Sequence, residues 1–440
     1  MHPNLSFEQA PPLGVPFRFF LTAPLFGLIA GVWLIWRGGD AWGSRWSVDV
    51  LALLHLFSVG FMLQVMCGAL LQFVPVAAGG NVWRPRGLAW LVHPAISIGV
   101  LCLAAGFLGR KPVFFQSAVF LLALGLLSFV GIVGAALFRT PARGATLQVL
   151  RLAVAGLGVT VLLGLWLAAI LGGMRGLPEE GGWSLIRLVN IHAAWGLAGW
   201  ALMLLMGVSY FVVPMFQLTP AYSVRLSYGL PLALLLFLLL WSLPGLEGQA
   251  GQMLWQNLIV WLGLGVAVVY AGVTLRLQSQ RRRRVADVTL RFWQGAMGSL
   301  LVLGVGWLVI SWIPALTTHP RALVWLGVLL VWGVFVAAIN GMLYKIVPFL
   351  IWLHLQNLGI LKLKIVPPNM KQMISERQMR GQMLAHFVAL ALLLGSVVWP
   401  PLTKLAGLAV VLSLGWLEWN LAGAVRLYAD YRQRILRLQE

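Results

Sequence analysis

Charge is scarce in this chain and acid scarcer still. Only 10% of its 440 residues are charged, 11 of them acidic against 31 basic. A soluble domain carries roughly a quarter charged residues, which excludes that class. Cysteine is nearly absent too. Cys67 and Cys102 both fall in apolar runs, so there is no disulfide framework and they read as small buried fillers. The net charge of +20 comes without zinc-ligand spacing or aromatic–basic interleaving, so it does not point to nucleic acid. The first apolar run, 16–36, lacks a small-residue cleavage site and reads as a span, not a removable leader.

Hydrophobic residues make up 60% of the chain. They gather in runs near the ~20 residues that cross about 30 Å of hydrocarbon. Twelve spans are predicted, at 16–36, 49–76, 89–109, 113–138, 148–172, 185–216, 223–243, 252–276, 291–314, 322–354, 381–400 and 405–427. The expected fold is therefore all-α and polytopic, a single membrane domain over 1–440 in contact with the lipid bilayer. Breaks fall at Arg-Gly-Gly (37–39), Pro-Arg-Gly (85–87), Pro-Glu-Glu-Gly-Gly (178–182) and Pro-Pro (367–368).

Orientation follows the basic residues. With the N-terminus inside, inward segments receive Arg84, Arg86, Arg139, Arg143, the run Arg281 to Arg284, Lys362, Lys364, Lys371, Arg377, Arg380 and the tail arginines from Arg426 to Arg437. Outward segments keep Arg37, Arg45, Arg110, Lys111, Arg175, Arg187, Arg321 and Lys404. The residues named divide 17 against 8, so both termini are expected in the cytoplasm, with a bacterial inner membrane as the expected setting. Contact with anionic lipid is a secondary use of the same residues.

One pattern recurs three times. Gly60, Gly68 and Pro75 lie on the second span, Gly199, Gly207 and Pro214 on the sixth, and Gly333, Gly341 and Pro348 on the tenth. Each set reads glycine, glycine eight later, proline seven after that, with valine before the proline. The first glycines are 139 and 134 residues apart, four spans each time. Small residues let membrane helices approach closely. The expectation is three four-helix arcs, approximately 16–138, 148–276 and 291–427, about a pseudo-threefold axis. The second helix of each arc is central, and its proline breaks the helix as the chain leaves the membrane.

Two of the seven histidines stand out: His55 on the second span, five residues before Gly60, and His192 on the sixth, seven before Gly199. Ionisable residues inside a membrane are costly and often functional. A lone membrane histidine can also be an interhelical hydrogen-bonding group worth about 0.6 kcal/mol. An offset of two residues is about 200° around a helix. The two imidazoles therefore either converge on the crevice between the second and sixth helices or point apart. Imidazole suits haem iron, copper or zinc, and a flat macrocycle needs only two axial ligands.

The segments His192-Ala-Ala-Trp-Gly with GVSYFVVP (207–214), and Trp-Gly (332–333) with GMLYKIVP (341–348), resemble helices six and ten of the catalytic subunit of haem–copper oxidases. The likeness is closest to members with only b-type haems, and the wider relatives include the NnrS family of membrane haem proteins. In that family, histidines at the five-before and seven-before offsets on neighbouring central helices hold a low-spin haem. The resemblance thus implies one bis-histidine haem b on His55 and His192, moved one repeat around the axis, and favours haem over copper. It also implies electron transport in a respiratory chain, with a cytochrome or other respiratory subunit as partner. The departures matter as much. Leu326 and Val328 stand at the paired ligand positions of the tenth span, Leu53 at that of the second and Ala194 at that of the sixth, and the seventh span has no histidine for copper. A conventional terminal oxidase is not expected.

Glu418 is the one acidic residue well inside a span, a candidate proton relay or a carboxyl bonded to a neighbouring helix. His93, His354 and His386 read as hydrogen-bonding residues near inner helix ends, with a second metal site as the alternative. His2 and His319 fall in terminal or loop positions. Lys345 is expected to snorkel, and Asn190, Asn340, Asn420, Gln64 and Gln72 to bond between helices. A permease and a cofactor-free assembly subunit remain competing functions. Parallel threefold repeats argue against the first, since many transporters use inverted or twofold ones.

Overall fold

A computed structural model describes residues 7–176, 184–243, 250–282, 285–357 and 368–437. His2, the break at 178–182, Arg283, Arg284, Lys362, Lys364 and Pro367 lie outside the described residues. Twelve helices are long and apolar enough to cross a membrane: α1 Gly14–Ala41, α2 Val48–Ala77, α3 Pro85–Gly109, α4 Pro112–Arg139, α5 Ala145–Leu171, α6 Leu185–Gln217, α7 Val224–Ser242, α8 Trp255–Ser279, α9 Val288–Trp312, α10 Ala322–Gln356, α11 Glu376–Val398 and α12 Pro400–Arg437. The protein is an all-α, multi-pass membrane protein. Each expected span corresponds to one of these helices. The largest boundary difference lies in α12, which runs ten residues further; the end of α1 and the starts of α11 and α12 each differ by five. A capping box starts α11: Ser375 accepts from the Gln378 N–H while the Gln378 side chain reaches back to the Ser375 N–H.

The chain divides into two compact units. One comprises Met1–Pro11, Ala69–Arg284 and Leu300–Leu308; the other comprises Pro12–Gly68, Val285–Ser299 and Val309–Glu440. In the second unit α1 packs along α12, which also packs on α11 and α10. A Cβ on Gly407 would stand 2.7 Å from the Gly31 carbonyl oxygen, so only glycine lets α1 and α12 meet there. In the first unit α3 pairs with α4, α5 with α6, and α7 with α8.

The repeat on α2, α6 and α10 has a structural counterpart that periodicity does not reveal. Each of α2, α6 and α10 contains eight residues wound as π-helix: Leu56–Leu63, Trp195–Leu202 and Leu329–Val336. Each π segment begins four residues before the first repeat glycine and ends three after it. π segments are rare and favour functional sites. The second glycine of each set faces the helix that opens its own group of four. A Cβ on Gly68 would lie 2.9 Å from Phe19 of α1, on Gly207 3.0 Å from Val149 of α5, and on Gly341 2.7 Å from Phe292 of α9. The first glycine repeats the arrangement at Gly60, 2.6 Å from Phe26 of α1, and at Gly333, 2.8 Å from Ser299 of α9.

The repeat prolines behave differently from one another. Helix α2 ends two residues after Pro75 and α6 three after Pro214, but α10 continues eight residues beyond Pro348 to Gln356. A proline costs one ladder bond, and neighbouring helices can compensate. Here Leu350, Ile351, Leu353 and Leu355 are all buried and hold the extra turns in place.

Lys345 pairs with the residue that caps the start of α9. Its ammonium lies 2.7 Å from Asp287, and both side chains are mostly shielded. Asp287 also N-caps α9 by accepting from the Leu290 N–H. Asp287→Ala removes the cap, worth about 1 kcal/mol, and leaves Lys345 shielded without this carboxylate. The expected total is about 2 kcal/mol of lost stability, read as a lower unfolding midpoint in detergent.

Candidate functional site

His55 is the last α-helical residue of α2 before its π segment. Its Nδ1 stands 2.7 Å from the Leu51 carbonyl oxygen, one turn earlier. A carbonyl only accepts, so Nδ1 carries the proton and Nε2 is the unprotonated nitrogen of the ring. Above this turn, Asp49 is buried at 4% exposure, accepting from Trp33 Nε1 at 2.8 Å and pairing with Arg37 at 3.0 Å. That buried contact fixes the start of α2 against α1 and hence the height of His55.

His192 reaches the same protonation pattern by another route. Its Nδ1 lies 3.1 Å from the carbonyl oxygen of Thr160, on α5 rather than on its own helix. The ring covers Gly164, where a Cβ would stand 2.8 Å from His192 Cε1. The start of α6 is firmly held. Ser184 caps it by accepting from the Arg187 N–H. The Arg187 guanidinium is buried and donates to the Ser242 and Leu243 carbonyls at the end of α7, where a cation suits the helix dipole. Trp195 Nε1 donates to Ser242 Oγ at 2.9 Å and Trp241 Nε1 to the Asn190 carbonyl at 3.4 Å.

Both histidines are half-buried. His55 belongs to one compact unit and His192 to the other. Positions expected to lack oxygen-site ligands are filled by packing residues: Leu53 and Leu326 are buried, and α7 carries no histidine. Among the described residues no three His, Cys, Asp or Glu side chains cluster closely enough to hold a metal ion. A metal whose only protein ligands are two imidazoles requires no such cluster.

His386 differs from the expectation of an inner-end residue. It lies ten residues into α11, fully buried, because the capped start of α11 extends the helix at that end. Its ring stacks on Trp332 of the α10 π segment, with centroids 5.0 Å apart and planes 9° apart, and meets Phe292 and Phe387 edge-on. Trp332 Nε1 donates to the His386 carbonyl at 3.1 Å, and the Asn340 amide lies 3.3 Å from His386 Nδ1. Trp332 also receives Phe57 of the α2 π segment edge-on at 5.5 Å. This surrounding is a packed aromatic core. His354 bonds the Leu350 carbonyl through Nδ1 at 2.9 Å, and His93 is half-buried on α3. Glu418 is half-buried, and its Oε2 is shielded without a hydrogen-bond partner among the described residues. Asn420 donates to the Tyr344 hydroxyl at 2.9 Å, joining α12 to α10 as interhelical polar residues should.

Sequence reasoning passed over the Asp49 contacts, the Arg187 cap, the Thr160 carbonyl, Gly164 and a hydroxyl cluster inside α6 and α8. There Tyr222, in the turn after α6, bonds Thr274 at 3.0 Å and stacks near Tyr210 at 4.9 Å. Burial pushes the Tyr222 phenol up to about 12, while hydrogen bonds with the Thr274 and Ser209 hydroxyls pull it down. The fold therefore favours the neutral phenol. Its contribution to stability is expected to be full up to pH ~10 and to decline between pH ~10 and ~12, as an unfolding midpoint series would show. Only the density of hydroxyl residues in 209–222 and 270–274 signalled it.

No family model matches the chain, and no curated protein matches it.

Proposed function

We propose that this chain is a haem b-binding membrane protein of oxidase-like fold, acting in electron transfer or in nitric oxide- or oxygen-related respiration. Its axial ligands are His55 and His192, and it is not a conventional terminal oxidase. One observation carries the reading. Both histidines hold Nδ1–H on a main-chain carbonyl, which makes Nε2 the unprotonated nitrogen of each ring, the form in which imidazole binds iron. Two such imidazoles are the donor set of a six-coordinate haem, and they stand at the five-before and seven-before offsets that the oxidase resemblance requires. The π segments that follow each histidine support a specialised use of these helices.

A haem bound this way supplies one-electron chemistry. The chain's own residues hold and orient it: the Leu51 and Thr160 carbonyls raise the basicity of the imidazoles, and the apolar spans exclude water. With leucine, valine or alanine at the oxygen-site positions, the chain adds no ligand for a second metal there. The setting is a bacterial inner membrane with both termini cytoplasmic, and the electron partner is a cytochrome or another respiratory subunit. The test is a reduced-minus-oxidised spectrum of purified protein with iron and copper analysis. One haem b per chain, without copper, is expected. A colourless, iron-free protein after expression with ample haem rejects the reading.

A further inference from the structure

We propose that Gly164 and the main-chain carbonyl of Thr160 form a socket on α5 that positions His192 and selects which ring nitrogen faces iron. The inference rests on the haem reading above and assigns the device that prepares one ligand. In a helix the Thr160 carbonyl already accepts from the N–H of residue 164. His192 takes its second lone pair, at 3.1 Å. To do so the ring must lie against the backbone at residue 164, and a Cβ there would stand 2.8 Å from Cε1. Only glycine leaves that space. The Thr160 hydroxyl is not involved, because it donates to the Gly156 carbonyl at 2.8 Å. The socket is therefore made of backbone: a carbonyl that fixes the tautomer and a missing side chain that admits the ring.

Its loss has a direction. A side chain at 164 needs ~3.4 Å from Cε1, so the ring must withdraw by about 0.6 Å and the Nδ1–H bond to Thr160 is lost or greatly lengthened. An imidazole without that acceptor is a poorer electron donor, and the ferric state is stabilised less. Outer partners of metal-bound histidines are worth about 10- to 100-fold. A tenfold change in the ferric-to-ferrous preference corresponds to 59 mV for one electron.

The experiment compares the full-length protein with Gly164→Ala, Gly158→Ala and Thr160→Val. Gly158 lies on the same helix with only ordinary contact to Val130 at 3.5 Å, so it controls for the added methyl group. An optical redox titration is expected to show the midpoint raised by about 59 mV or more in Gly164→Ala and unchanged in the other two. A haem with the same midpoint in all four proteins overturns the socket, as does a shift of equal size in Thr160→Val. Nitrogen-15 spectra of histidine-labelled protein stripped of haem, with His192→Gln to assign the signal, decide the matter independently. A single Nδ1–H tautomer in the parent protein that becomes a mixture in Gly164→Ala supports the socket. An Nε2–H tautomer in the parent, or no change in the variant, overturns it. Those spectra also distinguish the two failures: protein that never carries haem ends the functional reading and leaves the socket to be judged on the tautomer alone.

Discussion

Replacing either His55 or His192 by alanine is expected to abolish the b-type difference spectrum of the purified protein, and each single variant should do so as completely as the double. A six-coordinate haem held by two imidazoles loses half of its protein ligands with either change. The remaining bond competes with water and detergent for the macrocycle. Disturbing only the partners of metal-bound histidines costs about 10- to 100-fold, so deleting a ligand should exceed that. The controls are the other membrane histidines. His354→Ala removes an imidazole that also bonds a carbonyl one turn back, yet stands at neither ligand offset, and should leave the spectrum intact. His93→Ala should do the same. His386→Ala should keep the haem but lower the unfolding midpoint, since it empties an aromatic stack and strips Asn340 of a partner. Retention of a full spectrum in either ligand variant would sink the pairing.

The membrane fold was legible because its signal is coarse. Runs of about 20 apolar residues need no tertiary information to be read, and all twelve correspond to helices. Close helix approach was legible through glycine, whose value at Gly68, Gly207 and Gly341 is that a neighbouring helix occupies the space a side chain would need. The π segments were not legible. A π-helix changes how the backbone closes its hydrogen bonds without changing which residues are apolar, so the pattern of Leu56–Leu63 looks like any other membrane helix. The histidines were found because a titratable group in a span is conspicuous, whereas their acceptors were not, since a main-chain carbonyl has no letter in the sequence. The pairing of Lys345 was hidden for a related reason. Its partner Asp287 lies 58 residues away, in a turn that hydropathy treats as a loop.

Two glycines on α5 should respond to the same substitution with opposite signs. Glycine to alanine within a helix ordinarily gains up to about 1 kcal/mol from propensity. At Gly158 nothing opposes that gain, because the new methyl meets only Val130 at 3.5 Å, and Gly158→Ala should raise stability by about 0.5–1 kcal/mol. At Gly156, two residues earlier, the new Cβ would stand 2.3 Å from the Gly199 carbonyl oxygen and 2.7 Å from its carbon. These are main-chain atoms of the α6 π segment, and no side chain can rotate away to relieve them. The helices must separate by about 1 Å at their closest point, which forfeits dispersion contacts along both faces. Overpacking of this kind costs typically 1–3 kcal/mol, and a backbone-on-backbone contact belongs near the upper end. After the propensity gain, Gly156→Ala should be destabilised by about 1–2 kcal/mol, measured by denaturant titration in mixed micelles. The same displacement carries α6 away from the Thr160 carbonyl and so loosens His192. Gly156→Ala should therefore also weaken haem retention, while Gly158→Ala leaves it unchanged. Equal stability in the two variants would mean that α5 and α6 do not meet at Gly156 and Gly199, and the carbonyl of α5 could not then set the tautomer of a histidine on α6.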